Sequence, residues 1–237
     1  MSTKISIIIP IRYRADLTEA CIDSILRYTD NFELILVQEG EDVEITKILK
    51  SHQAKFAQNK TPKGFAGALN TGIDLAEGDY YCFLNNDTVV IRGWMDEMLK
   101  AFKDKDVGLV SPTFGGTQSF QQVAFNKGQQ FDYITDPFIL MAACFLISKE
   151  AMDKVGKWDE SFGLGGGEDN DMCIRILDAG YKMVIARKSY IYHYGSASFR
   201  ELFNNDPEET NKYAIQQFEK VKKKYPNLTI NKEELNI

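Results

Sequence analysis

The feature that most constrains this chain is its opening apolar run, Ile5-Ser6-Ile7-Ile8-Ile9, stopped by Pro10. A run so rich in β-branched residues, with no polar alternation, suits a strand covered on both faces. Such strands sit inside sheets sandwiched between helices, so the first element already predicts an α/β layered fold.

The segments that follow keep to that plan. Asp16 reads as a helix N-cap with Glu19 three residues on, and Leu17, Ala20, Cys21 and Ile25 recur at helical spacing. Phe32 to Val37 reads as a second buried strand, and Ile45, Ile48 and Leu49 mark a second helix, completing a βαβ unit. A glycine-rich helix from about Phe65 to Ala76 precedes a strand, Tyr80 to Leu84, which runs directly into Asn85-Asn86-Asp87. Ligands of open α/β sheets sit beyond the carboxyl ends of the strands, which places that polar turn where a binding site is expected.

Met95 to Phe102 predicts a helix and Val107 to Val110 a strand. Gly115 to Phe131 is polar and glutamine-rich and reads as a β-ribbon or a mobile flap. A strand near Cys144 to Ile147, a short helix from Lys149 and a flexible Gly163-Leu164-Gly165-Gly166-Gly167 loop come next. Glu168 to Ala179 is a helix stopped by Gly180. Short strands at Lys182 to Ala186 and Tyr190 to His193 and a last amphipathic helix, Pro207 to Tyr225, finish the pattern. No internal repeat or low-complexity linker interrupts it.

Composition narrows the partners. The chain has 237 residues, 44% of them hydrophobic, enough for one substantial α/β core. A net charge of −6 without a basic block argues against a nucleic-acid surface. The one basic run, Lys220 and Lys222 to Lys224, ends a helical stretch, where it complements the dipole. Cys21, Cys82, Cys144 and Cys173 are far apart in apolar segments and read as reduced core thiols of a cytoplasmic protein. The longest apolar run, Pro137 to Ile147, is too short for a membrane span, which needs about 18 residues or more. The N-terminal apolar stretch, broken by Pro10 and Arg12, is too short for a secretion signal.

Three features can carry chemistry, and each has a structural alternative. Asp87 ends a buried strand, where it could hold a divalent cation that also binds a diphosphate, or could satisfy its own turn. Glu168 and Asp169 open a helix after three glycines, so the helix dipole and free N–H groups should help keep a carboxylate ionised and able to accept a hydroxyl proton. Helix capping is the alternative. Three acids in that turn, Asp171 included, favour function. His193 follows Tyr190-Ile191-Tyr192 and suits either a metal ligand or a hydrogen-bonded structural residue. His52, among Ser, Gln and Lys, reads as a surface residue.

Together these segments resemble a known family. Ser6 to Arg14, Lys63-Gly64-Phe65-Ala66-Gly67-Ala68-Leu69-Asn70, Gly78 to Thr88, Val155 to Phe162 and Gly167 to Arg175, with His193 following, are similar in order and spacing to the family 2 glycosyltransferases of the GT-A fold. The resemblance runs from Ile5 to about Ser198. It implies a single Rossmann-like domain over 1–237 with a mostly parallel central sheet and helices on both faces. Residues 1–112 would bind a nucleotide sugar, 113–200 would hold acceptor and catalytic groups, and 201–237 would form a C-terminal helix and tail.

The resemblance also implies site roles. Asp87 and His193 would bind Mn2+ or Mg2+, Asp169 would be the general base, and Glu168 would orient the acceptor beside Trp158 and Gly167. Pro10, Arg12, Gln38 and Glu39 would line the nucleoside pocket, with Lys63 and Asn86 nearer the ribose and diphosphate. The implied partners are a UDP- or dTDP-sugar donor and a glycan or lipid-linked saccharide acceptor, the latter compatible with peripheral membrane association. The chain departs from the family pattern twice. Asn85-Asn86-Asp87 leaves one carboxylate where Asp-x-Asp is usual, a form shared by rhamnosyltransferase-like relatives, and Gln38-Glu39 replaces the usual Asp after the second strand. A non-catalytic nucleotide-sugar or glycan-binding domain and a sugar nucleotidyltransferase stand as alternatives; the latter lacks a basic glycine-rich loop near Pro10.

Overall fold

The computed structural model describes residues 4–116, 121, 130–135, 140–195 and 197–227, apart from the side chains of 198 and 199. Most of the Gly115 to Phe131 region therefore lies outside the described residues. In order the chain forms β1 (Ile5–Ile11), α1 (Ala15–Tyr28), β2 (Phe32–Glu39), α2 (Val43–Ser51), β3 (Lys55–Asn59), α3 (Gly64–Ile73), β4 (Tyr80–Leu84) and β5 (Thr88–Val90). Next come α4 (Trp94–Leu99), β6 (Val107–Gly115), β7 (Phe131–Ile134), β8 (Cys144–Ser148), α5 (Lys149–Val155), α6 (Glu168–Asp178), β9 (Lys182–His193), α7 (Ala197–Leu202) and α8 (Pro207–Lys224). Single 3-10 turns follow α4 and occupy Glu160–Phe162.

The strands join one sheet in the order β3-β2-β1-β4-β8-β6-β9-β5, with β7 also paired to β9. Strands β1, β2, β3, β4, β6 and β9 run in one direction, while β5, β7 and β8 oppose them. The sheet is thus mostly parallel, with β8 wedged antiparallel between β4 and β6. The carboxyl ends of β1, β2, β4 and β9 consequently open on the same edge.

Both faces are covered, which explains the apolar opening run. Ile5, Ile7, Ile9 and Ile11 pack with Cys21, Ile22 and Ile25 of α1, Ile45 and Leu49 of α2 and Trp94 of α4. Ile8 faces the other way, with Leu69 of α3, Met152 of α5 and Met172, Cys173 and Ile176 of α6. All four cysteines are buried and free. A small third cluster, Phe162, Ile174 and Val221, seats α8.

Local signals were read imperfectly at several places. The α1 helix starts at Ala15 after Arg14, whose φ is 63°, and Asp16 lies in its first turn, ion-paired to Arg14 at 2.7 Å rather than capping. The β3 edge strand, Lys-Phe-Ala-Gln-Asn, was hidden by its lack of β-branched residues. The two short strands expected at Lys182 to Ala186 and Tyr190 to His193 are one strand, β9, whose register with β6 shifts between Pro112 and Thr113.

The α3 helix begins against the glycine loop. Gly64 has a φ of 80°, and a Cβ there would lie 1.8 Å from the Gly163 carbonyl oxygen, inside hard-sphere contact. Gly64→Ala is therefore expected to lower unfolding stability by about 2 kcal/mol or more, read by urea denaturation, because both strain and overlap oppose it. A loss below about 0.5 kcal/mol would show that this approach is not tight.

Candidate active site

A cleft opens at the carboxyl edge of the sheet, with about 670 Å3 of empty volume that includes open solvent. Of the expected donor residues, Pro10, Arg12, Glu39, Asn86 and Asp87 line it. Tyr13, Phe65, Asn85, Leu164 and Leu202, which the sequence reading did not single out, line it too. Asn85 shared the polar turn already marked and could have been included. Leu164, in a glycine loop, and Leu202, on a one-turn helix, carry no periodic signal.

The centre of the cleft is set by backbone pairing. Three residues of β5 pair antiparallel with the end of β9, so that Thr88 stands opposite His193. The Tyr194 N–H donates to the Asp87 carbonyl at 3.0 Å. This ladder brings Asp87 and His193 side by side, with Nε2 3.1 Å from Oδ1. The other carboxylate oxygen accepts the Ala197 N–H, at 3.1 Å, from the start of α7. Burial pushes the Asp87 carboxyl up, but the adjacent His193 ring and the Ala197 amide outweigh it and hold the group below the usual carboxylate range.

The imidazole is the revealing member of this pair. His193 is 5% exposed, and neither of its ring nitrogens has a hydrogen bond of acceptable geometry. The 3.1 Å approach to Asp87 is thus a close contact that does not lie along the ring N–H direction. A buried imidazole with unpartnered nitrogens beside a buried carboxylate fits a divalent cation. Among the described residues no cluster of three His, Cys, Asp or Glu side chains could hold a metal. Two protein ligands suit Mg2+ or Mn2+, which commonly complete their coordination with water and substrate phosphates.

Around this pair several expected residues serve the fold. The Asn86 amide donates to the Tyr13 carbonyl and the Thr18 hydroxyl, both at 2.8 Å, fixing the turn to α1. Glu39 accepts from Asn59 through Oε1 and from the Lys63 and Gly64 amides through Oε2, at 2.6 and 2.9 Å, so it caps α3 from the cleft floor. Lys63 contributes that amide, and its side chain is exposed outside the lining. Gln38 is fully buried, is absent from the lining, and bonds the Asp42 carbonyl and the Thr46 hydroxyl. Arg12 lies 5.2 Å from the Tyr13 ring centre, a cation–π distance that keeps its guanidinium at the cleft.

The acid pair departs from its expected state. Glu168 is buried, and burial first and the neighbouring Asp169 second push its carboxyl up to about 8. Burial also raises Asp169, against backbone amides of Asn170, Ala142 and Gly167 that pull it down. At Glu168, desolvation and the neighbouring Asp169 charge therefore outweigh the helix dipole that was expected to keep it ionised. Asp171 does not belong with them: it is fully buried and bound by Arg175, Lys224 and Tyr225. Trp158 is 3% exposed and packs with Phe65, Phe83 and Phe145, so it is a core residue rather than an open acceptor platform. Its backbone pairs with the Asn70 side chain, tying α3 to the segment that leads to Glu168. Gly167, with φ 105°, is the N-cap of α6.

The fold is that of the GT-A glycosyltransferases. Solved structures similar to it include the mannosyltransferase PcManGT of Pyrobaculum calidifontis in complex with GDP-Man and Mn2+, at TM-score 0.71, 16% identity and coverage of 100% of this chain and 69% of that one. GalNAc-T7 with UDP, GalNAc and Mn2+ is similar at TM-score 0.68, 15% identity, and 81% and 44% coverage. Residues 6–156 match the model of glycosyl transferase family 2, and the chain belongs to that family. Curated relatives include the pre-mycofactocin glycosyltransferase of Mycobacterium tuberculosis, 26% identical over 76% of this chain and 40% of the relative. The O-antigen biosynthesis protein RfbC of Myxococcus xanthus is 26% identical over 83% of this chain and 18% of its own length. The chain thus spans well under half the length of these relatives.

The raised Glu168 carboxyl has a consequence for stability. Its folded value of about 8 exceeds the unfolded 4.5, so the folded state holds the extra proton between these values. The contribution is fully present below pH 4.5 and is lost as pH rises through 8. Urea denaturation of wild type and Glu168→Gln should show the wild type losing stability relative to the variant between pH 5 and 9. A difference independent of pH would mean that Glu168 is ionised throughout.

Proposed function

We propose that the chain is a metal-dependent, inverting glycosyltransferase that moves a sugar from a nucleotide diphosphate sugar to a hydroxyl of a glycan or lipid-linked saccharide. The observation that carries this reading is the buried Asp87–His193 pair, with its unpartnered imidazole nitrogens, whose carboxylate lines a carboxyl-edge cleft. Family membership supports the reaction class. A divalent cation held by Asp87 and His193, Mn2+ or Mg2+, would supply charge stabilisation to the departing diphosphate.

The chain's own groups divide the remaining work. Arg12, backed by Tyr13, presents a fixed positive charge to the donor. Leu164 and Leu202 line the cleft with apolar surface and limit the water that would compete with the acceptor. Asp169, with its raised carboxyl, is basic enough to take the proton of the attacking hydroxyl. Glu168, protonated at neutral pH, donates a hydrogen bond that orients that hydroxyl. A single displacement on the face opposite the leaving group inverts the anomeric carbon. UDP- and dTDP-sugars are the proposed donors.

The single carboxylate of Asn85-Asn86-Asp87 supports the rhamnosyltransferase-like branch. Four free, buried cysteines support a reducing, cytoplasmic setting. No helix among the described residues is long and apolar enough to cross a membrane.

A thermal-shift screen of UDP-, dTDP- and GDP-sugars with and without Mn2+ tests the donor site. A ligand at a hundredfold excess over its Kd should add about 2.7 kcal/mol of apparent stability. The gain should require metal and vanish in Asp87→Ala and His193→Ala. Absence of any shift would sink the reading, and pyrophosphate release from a nucleoside triphosphate would favour the nucleotidyltransferase. Retention at the anomeric carbon, seen by NMR of the product, would overturn inversion.

A further inference from the structure

The Gly163–Gly167 loop carries Leu164 into the donor cleft and delivers Glu168 and Asp169 at its end. Its two stems are joined by one side chain from far along the chain. Lys224, the last residue of α8, places its ammonium 2.6 Å from Asp159, before the loop, and 2.5 Å from Asp171, after it. Tyr225 donates to the same Asp171 oxygen at 2.6 Å. Asp159 also caps the 3-10 turn that enters the loop, accepting the Ser161 N–H at 2.9 Å.

The rest of α8 lies along the outside of this loop. Tyr213, Gln217, Val221 and Lys224 share one helix face by their spacing of about one turn. Tyr213 bonds the Phe162 carbonyl, Lys220 reaches the Ser161 carbonyl, and Val221 is fully buried with Phe162 and Ile174. A Cβ at Gly167 would meet Phe162 and Val221 at 2.8 and 3.0 Å, so helix and loop are in close contact. From inside the cleft the loop is met by Gly64, on the first turn of α3. The loop is held between two helices, and its own glycines supply little stiffness. All of α8 lies beyond the stretch matched by the family model.

We propose that Lys224 is a positioning residue: by bridging Asp159 and Asp171 it closes the glycine loop from outside and sets Leu164 against the donor and Asp169 at the acceptor side. The proposal rests on the transferase reading for its effect on turnover, and on geometry alone for its effect on the loop. Lys224 touches neither the cleft lining nor the reacting atoms. It acts through the two carboxylates, of which Asp171 is fully buried and keeps Arg175 and Tyr225 as further partners.

Hydrogen exchange read by mass spectrometry on the full chain tests the loop directly. In Lys224→Met, and in Asp159→Asn, which cuts only one arm, amides of residues 160–168 should exchange about tenfold faster or more while β1 and β4 amides are unchanged. Lys224→Arg should restore slow exchange. If Lys224→Met does not fold, Asp159→Asn alone decides. Unchanged loop exchange in Asp159→Asn, or acceleration spread equally over β1, overturns the proposal. With the donor found by thermal shift, the loosened variants should show a higher donor KM or a lower kcat; a loosened loop with both constants unchanged also overturns it. The exchange measurement needs no substrate, so an inactive wild type would count against the transferase reading alone.

Discussion

The site depends on a short antiparallel ladder. Three residues of β5 hydrogen-bond to the end of β9, and only that pairing brings Asp87 beside His193. Both side chains are nearly excluded from solvent, so each needs the other or a ligand to offset its desolvation. The carboxylate has found partners in the imidazole and the Ala197 amide, whereas the ring nitrogens have none with acceptable geometry. An arrangement built only for stability would pair those nitrogens with a nearby carbonyl or hydroxyl. The carboxylate beside them lines a cleft at the edge where six strands end.

A second constraint links the two halves of the site. Glu39, at the end of β2, gathers the first amides of α3, and Asn70, near the other end of α3, pairs with the Trp158 backbone in both directions. The helix therefore transmits the position of the cleft floor to the segment that precedes the glycine loop. That loop returns to the cleft through Leu164 and is backed by α8. The cleft floor and the glycine loop are thus braced by a rigid helix within and a C-terminal helix without.

The sequence reading was strongest where covalent order and periodicity dominate. The isoleucines of β1, the apolar spacing of α1 and α6, and the polar turn at the end of β4 are local patterns, and the layered fold followed from them. The family resemblance marked Asp87 and His193 together, and the structure places them side by side, a pairing no spacing argument could make across so many intervening residues. What remained hidden depends on tertiary contact. Asp171 looked like a third site acid, but its partners Lys224 and Tyr225 lie far along the chain. Trp158 was expected beside the acceptor, and its burial among three phenylalanines could not be seen in the sequence. The proton state of Glu168 was misjudged because a dipole is readable from position in a helix, and burial is not.

The central claim is that Asp87 and His193 form half of a metal site which a nucleoside diphosphate completes. Electron paramagnetic resonance of Mn2+ added to the full chain, with and without UDP, measures that directly through the free-ion signal. The account predicts weak loss of signal with protein alone, strong loss with protein and UDP together, and no such cooperation in Asp87→Ala. Equal binding with and without every nucleoside diphosphate tried, or cooperation that survives Asp87→Ala, would contradict it.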